Sequence, residues 1–175
     1  MALKSPSTPS QPHLTAVNQY HSSWSIAKSL TLYGVHDWGA GYFDISSSGE
    51  LVAQLPFGDH VSQVALLDII QGMKERGIEM PAILRIENLL DDRIKALNDA
   101  FHRAISSVNY QNYFRGVFPI KVNQQCHVID EISKFGADYH HGFEAGSKAE
   151  LIIALSKIKD DQSLIICNGY KDTEF

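Results

Sequence analysis

Cysteine is nearly absent: Cys126 and Cys167 are the two in 175 residues. They lie far apart, with no CxxC and no histidine at zinc-ligand spacing. That pattern excludes a disulfide scaffold and a zinc finger and fits a reducing compartment. No apolar run is long enough to span a bilayer. The opening MALKSPSTPSQPH is rich in serine and proline and has no apolar core of the kind a signal peptide carries. A large excess of acidic or basic residues is missing as well. A net charge of −5 with scattered basic residues leaves no electrostatic footprint for nucleic acid or an anionic membrane. Glycines never occur as a pair, and the one GxG, Gly39 to Gly41, is not continued to GxGxxG. GxxxxGK[ST] and GxSxG are also missing, so dinucleotide-binding, P-loop and α/β-hydrolase chemistries have no support. At 44% apolar and 20% charged, the remainder has the composition of an ordinary globular protein able to bury one good-sized core.

Along the chain, residues 1–23 are expected to form a disordered tail. WSIAKSLTLYG predicts a short helix with Trp24, Ala27 and Leu30 on one face and Gly34 as its stop. YFDIS and ELVAQL flank Ser47, Ser48 and Gly49 and predict a β-hairpin. Val61, Val64, Ala65, Ile69 and Met73 fall at helical spacing, closed by Gly77. From Pro81 the rhythm changes to alternation: PAILRI, FRGVFPIK, YHHGFEA and LIICN are four expected strands. Helices are expected between them at about 87–108, 125–135 and 148–158. Strand–helix alternation of this length implies βαβ units and a parallel sheet. Two closures fit, an open doubly wound sheet or a (β/α)8 barrel. An open sheet could finish at Phe175; a barrel could not.

In parallel α/β folds functional groups gather at the carboxyl ends of the strands. Those ends carry Arg85, Lys121, Glu144 and the Asn168–Lys171 group. Lys121 stands out, because it follows Val117, Phe118 and Ile120. A lysine desolvated beside apolar residues loses affinity for its proton and becomes a usable nucleophile for Schiff-base chemistry. The plain alternative is a solvated lysine ending a strand. Ser147 and Glu150 form S-x-x-E before an apolar helical run, a capping box contributing on the order of 1 kcal/mol. Asn168-Gly169 is ordinarily a turn. Lys171 follows that turn and not an apolar strand, so it is the weaker Schiff-base candidate. His140 and His141 would point to opposite faces of a strand, which argues against a shared metal.

The wording around Lys121 narrows the choice. FPIKVNQ resembles the lysine motif of the pyridoxal-phosphate barrel decarboxylases, and the longer GVFPIKVNQQ is most similar to the biosynthetic arginine decarboxylases. GFEAGSKAEL (142–151), LIICNGYKD (164–172) and the upstream YGVHDWGAGYFDIS occur in the order that family shows. Cys126 and His127 depart from it, standing where basic residues are more common.

The resemblance implies an α/β fold: the first half of a pyridoxal-phosphate (β/α)8 barrel, spanning 80–175 with four strands. It would be preceded by a segment at 24–79, with hairpin and helix, that forms part of a separate β domain. It implies Lys121 as the lysine that binds pyridoxal 5'-phosphate, Glu144 as a catalytic carboxylate steadying positive charge beside it, and arginine as substrate. Agmatine for polyamine biosynthesis would be the product. Glu150 matches a family acid too, but the cap is the stronger reading. Magnesium, a homo-oligomer and a cytoplasmic location are further implications, with no nucleic-acid or membrane partner. The glycine-rich phosphate loops and late cysteine and acidic residues of the family are missing from the sequence, so the chain is expected to be an inactive N-terminal portion. The rivals are a diaminopimelate or ornithine decarboxylase, a non-catalytic pyridoxal-phosphate carrier, and a small open-sheet domain without cofactor. The hairpin argues against the carrier.

Overall fold

A computed structural model of the chain describes residues 23–175. Apart from Ser23, the tail expected over 1–23 lies outside the described residues. The chain divides into two compact units. One takes in the described residues up to Leu55 together with Val61–Met80; the other takes Pro56–His60 and Pro81–Phe175.

In the first unit, α1 (Ile26–Tyr33) starts at Ser25, whose hydroxyl accepts from the Lys28 N–H. It ends at Gly34 in the left-handed region, as expected. Trp24 precedes the helix and donates its indole N–H to Ser29 Oγ. A short α2 (Val35–Gly39) follows. The expected hairpin forms from β1 (Phe43–Ile45) and β2 (Leu51–Phe57), paired antiparallel with Asp44 opposite Val52.

The helix expected from Val61 is a correction. His60–Ala65 is β3, third in the order β1-β2-β3, and α3 begins only at Leu66 and runs to Glu75. The reason lies in Phe57-Gly58-Asp59-His60. Gly58 has φ +58°, the left-handed conformation that a two-residue hairpin turn requires. The chain therefore folds back on β2, and β-branched Val61 and Val64 suit a strand as well as a helix.

In the second unit, α4 (Glu87–Ser107) packs Ile94 and Asn98 inward, and α5 (Cys126–Phe135) buries Val128, Ile129 and Ile132. The sheet is parallel in the order β4-β5-β6, with β4 Val117–Pro119, β5 Gly142–Ala145 and β6 Ile165–Cys167. The last helix, α6, is Lys148–Lys157. The core gathers Ile94, Ile120, Val128, Ile129, Ile132, Phe143 and Ala154.

Two further expectations change. PAILRI is not a strand: residues 82–86 join no sheet, and Ile83 is 80% exposed. An apolar run becomes a strand only when a ladder satisfies its backbone, and no described strand pairs with it. YHHGFEA is a strand only from Gly142. Ala137–Tyr139 forms a 3-10 turn and His140 is left-handed at φ +51°, so the two histidines do not alternate across a pleat.

Candidate functional site

The site is built at the carboxyl ends of β4, β5 and β6. β4 is an edge strand, which tolerates Pro119 because that residue's missing N–H is not needed by an inner ladder. Beyond it the chain turns through Ile120–Val122, a single 3-10 turn. Ile120 is fully buried and pins that turn to the core. Lys121 thus lies two residues beyond the end of the strand, with its side chain 59% exposed. The apolar shield expected around the lysine is absent from this geometry.

Glu144 is set by register and pleat. It pairs with Pro119, and its neighbours Phe143 and Ala145 are buried against the core, so its own side chain turns to the opposite face. There Lys121 Nζ lies 3.5 Å from Glu144 Oε1. Asn168, just past β6, donates from Nδ2 to the same oxygen. Lys171 donates from Nζ to the Asn168 carbonyl and lies 4.3 Å from the centre of the Phe175 ring. The two residues first singled out are therefore brought together. Asn168, read from sequence as a turn at the neighbouring strand end, joins them. The one signal for it was its position two strands from Lys121 at the same sheet end.

The helix start beneath the site is capped from both sides. Ser147 Oγ accepts from the Glu150 N–H at 3.3 Å, and Glu150 Oε2 accepts from the Gly146 N–H at 2.7 Å. The return bond goes to the residue before the N-cap and not to the N-cap itself, a shifted capping box.

Other candidates fall elsewhere. Arg85 Nη2 donates to Gln125 Oε1 at 2.5 Å. Cys126 donates to Asp130, which pairs with Lys157. His140 meets Asp160 at 3.1 Å. The Asp160 carboxyl is held down to about 2, first by the Ser163 hydroxyl, then by the Gln162 N–H, His140 and the Ser163 N–H, against a burial penalty. His141 is buried, its Nδ1 meets no partner, and burial pushes its pKa down. Among the described residues no group of three or more His, Cys, Asp or Glu side chains could hold a metal ion. No helix among them is long and apolar enough to cross a membrane.

A parallel α/β unit that sets an accessible amine against a carboxylate at adjacent strand ends has the makings of an amine-dependent enzyme site. No family model matches the chain. Curated relatives do. The chain is 43% identical over 157 residues to the biosynthetic arginine decarboxylase of Prochlorococcus marinus (strain MIT 9313), covering 90% of this chain and 24% of that protein. It is 45% identical over 152 residues to that of Gloeobacter violaceus, covering 87% and 23%. The crystal structure of the Campylobacter jejuni biosynthetic arginine decarboxylase superposes with a TM-score of 0.73 at 32% identity, over 81% of this chain and 23% of that one. The chain is similar to biosynthetic arginine decarboxylases and spans about a quarter of the length of the curated relatives it matches.

Proposed function

We propose that this chain supplies the cofactor-bearing lysine of an arginine decarboxylase, which converts arginine to agmatine and carbon dioxide for polyamine synthesis. The observation that carries the reading is the Lys121–Glu144 pair, 3.5 Å apart at adjacent strand ends. Pyridoxal phosphate fits those residues. An aldehyde needs an accessible primary amine, and Lys121 offers one that is more than half exposed. When bound, the cofactor supplies an electron sink for the negative charge left as carbon dioxide departs. Lys121 holds it. Glu144 steadies the positive charge that accumulates beside that amine. Ser147 and Glu150 hold the start of α6 and take no part in the chemistry. Magnesium is implied by the resemblance alone, and among the described residues no group of three or more His, Cys, Asp or Glu side chains could hold it.

The fold proposed around the site is the first half of a (β/α)8 barrel over 80–175, preceded by a 24–79 segment of a separate β domain. The parallel order β4-β5-β6 and the antiparallel β1-β2-β3 sheet support this. The likeness to arginine decarboxylases favours arginine over ornithine or diaminopimelate. The hairpin gives the chain a feature that a carrier has no use for. A cytoplasmic homo-oligomer completes the proposal, and its two free thiols suit a reducing compartment.

The test is the gene's full product, purified from a host lacking its own arginine decarboxylase and supplied with pyridoxal phosphate and carboxyl-labelled arginine. Labelled carbon dioxide with agmatine in equal amount is the expected result. Release from ornithine or diaminopimelate, and none from arginine, would move the protein to one of the rival activities.

A further inference from the structure

We propose that Asn168 is a positioning residue whose side-chain amide holds the Glu144 carboxylate against the Lys121 amine. The inference rests on the proposed function only in taking Lys121 as the residue that matters.

The ion pair cannot secure this geometry alone. Lys121 is a long, flexible side chain that is 59% exposed, and its ammonium lies 3.5 Å from the carboxylate. Exposed pairs of this kind contribute little, because water screens them and ordering the lysine costs side-chain entropy. Glu144 is 23% exposed and has rotamers of its own. What fixes it is a second donor on the same oxygen. Asn168 Nδ2 donates to Oε1, the atom that faces Lys121. Hydrogen bonds to an ionised acceptor are about twice as strong as neutral ones. An amide suits the task because it orients the carboxylate without neutralising it, so the negative charge stays available to the amine.

Asn168 is itself held at both main-chain groups. Its N–H donates to the Ala145 carbonyl at 3.3 Å, and its own carbonyl accepts from Lys171 Nζ. Its side chain also lies close over Gly146, where a Cβ would come within 2.9 Å of Asn168 Oδ1. A side chain at 146 would thus press on the amide that reaches Glu144 and displace it. Gly146 is tied in turn through its N–H to Glu150 Oε2, so the start of α6 fixes the floor on which Asn168 rests. The turn reading of Asn168-Gly169 accounts for the backbone but not for this side chain.

The test is a zero-length carbodiimide cross-link on the protein as its own gene encodes it, free of cofactor. Lys121 and Glu144 should join with loss of water and be recovered as one peptide by mass spectrometry. Lys157 and Asp130, 2.5 Å apart, give an internal reference product. In Asn168→Leu and Asn168→Asp the ratio of the Lys121–Glu144 product to the reference should fall by about tenfold, the cost of losing a hydrogen bond to a charged group. Gly146→Ala, which touches neither partner, should lower it as well. An unchanged ratio, a fall shared equally by both products, or no Lys121–Glu144 product in the parent protein would overturn the proposal. Because no cofactor takes part, these results are independent of where pyridoxal phosphate is bound.

Discussion

Replacing Ser147 with alanine deletes the oxygen that accepts from the Glu150 N–H at the start of α6. Loss of a serine N-cap ordinarily costs about 0.5–2 kcal/mol. Two features place the expected value in the lower half of that range. The bond, at 3.3 Å, is longer than a typical N–H···O contact. Glu150 also keeps its 2.7 Å bond to the Gly146 N–H in the variant, so one of the two capping interactions survives. The result should be a loss of about 0.5–1 kcal/mol, or a urea midpoint lower by about 0.5 M at a typical slope of about 1.5 kcal/mol per M. Circular dichroism during urea unfolding measures it. Ser147→Asp, which keeps a capping oxygen, should restore the midpoint. Pyridoxal phosphate affinity should change little in either variant. A clear loss of affinity with an unmoved midpoint would mean that Ser147 contacts the cofactor, and the capping argument would be refuted.

Glu144→Gln keeps the shape and removes the charge, so it should lower turnover by about tenfold or more, about 1.4 kcal/mol of barrier, with stability nearly unchanged; equal turnover would reduce Glu144 to a structural residue. His141 is buried, with its pKa lowered from 6.5 by desolvation. A group whose folded pKa is depressed stabilises the fold fully above its unfolded pKa, and that stability is lost as pH falls through the folded value. Stability should therefore decline below about pH 6.5, and His141→Gln should flatten that decline in unfolding curves taken between about pH 5 and 8; a parallel decline in the variant would assign the effect to other groups. Gly116→Ala would set a Cβ 2.5 Å from the His141 ring and should cost about 1–3 kcal/mol as overpacking, seen as a lowered urea midpoint.

Much of the site was legible because it is local. Lys121 was marked by the apolar residues before it, Glu144 by its place at the next strand end, and Ser147 with Glu150 by their spacing. The β1–β2 hairpin was legible from its serine–glycine loop. Three features were not, and each depends on something that spacing alone does not encode. Val61–Ala65 fits a helix and a strand equally, and the deciding signal was Gly58 in the turn before it. PAILRI has the apolar character of a strand, but a strand exists only through its partner. Asn168 belongs to an ordinary turn sequence, and its reach to Glu144 follows from β5 and β6 lying side by side, with Glu144 opposite Ile166.

The central claim is that Lys121 carries the cofactor. Borohydride reduction of the gene's full product after loading with pyridoxal phosphate, followed by peptide mapping, tests it in one measurement. The reduced pyridoxyl group should be recovered on Lys121, in the peptide containing FPIKVNQQ. Recovery on Lys171, or on any other lysine with Lys121 unmodified, would contradict the account.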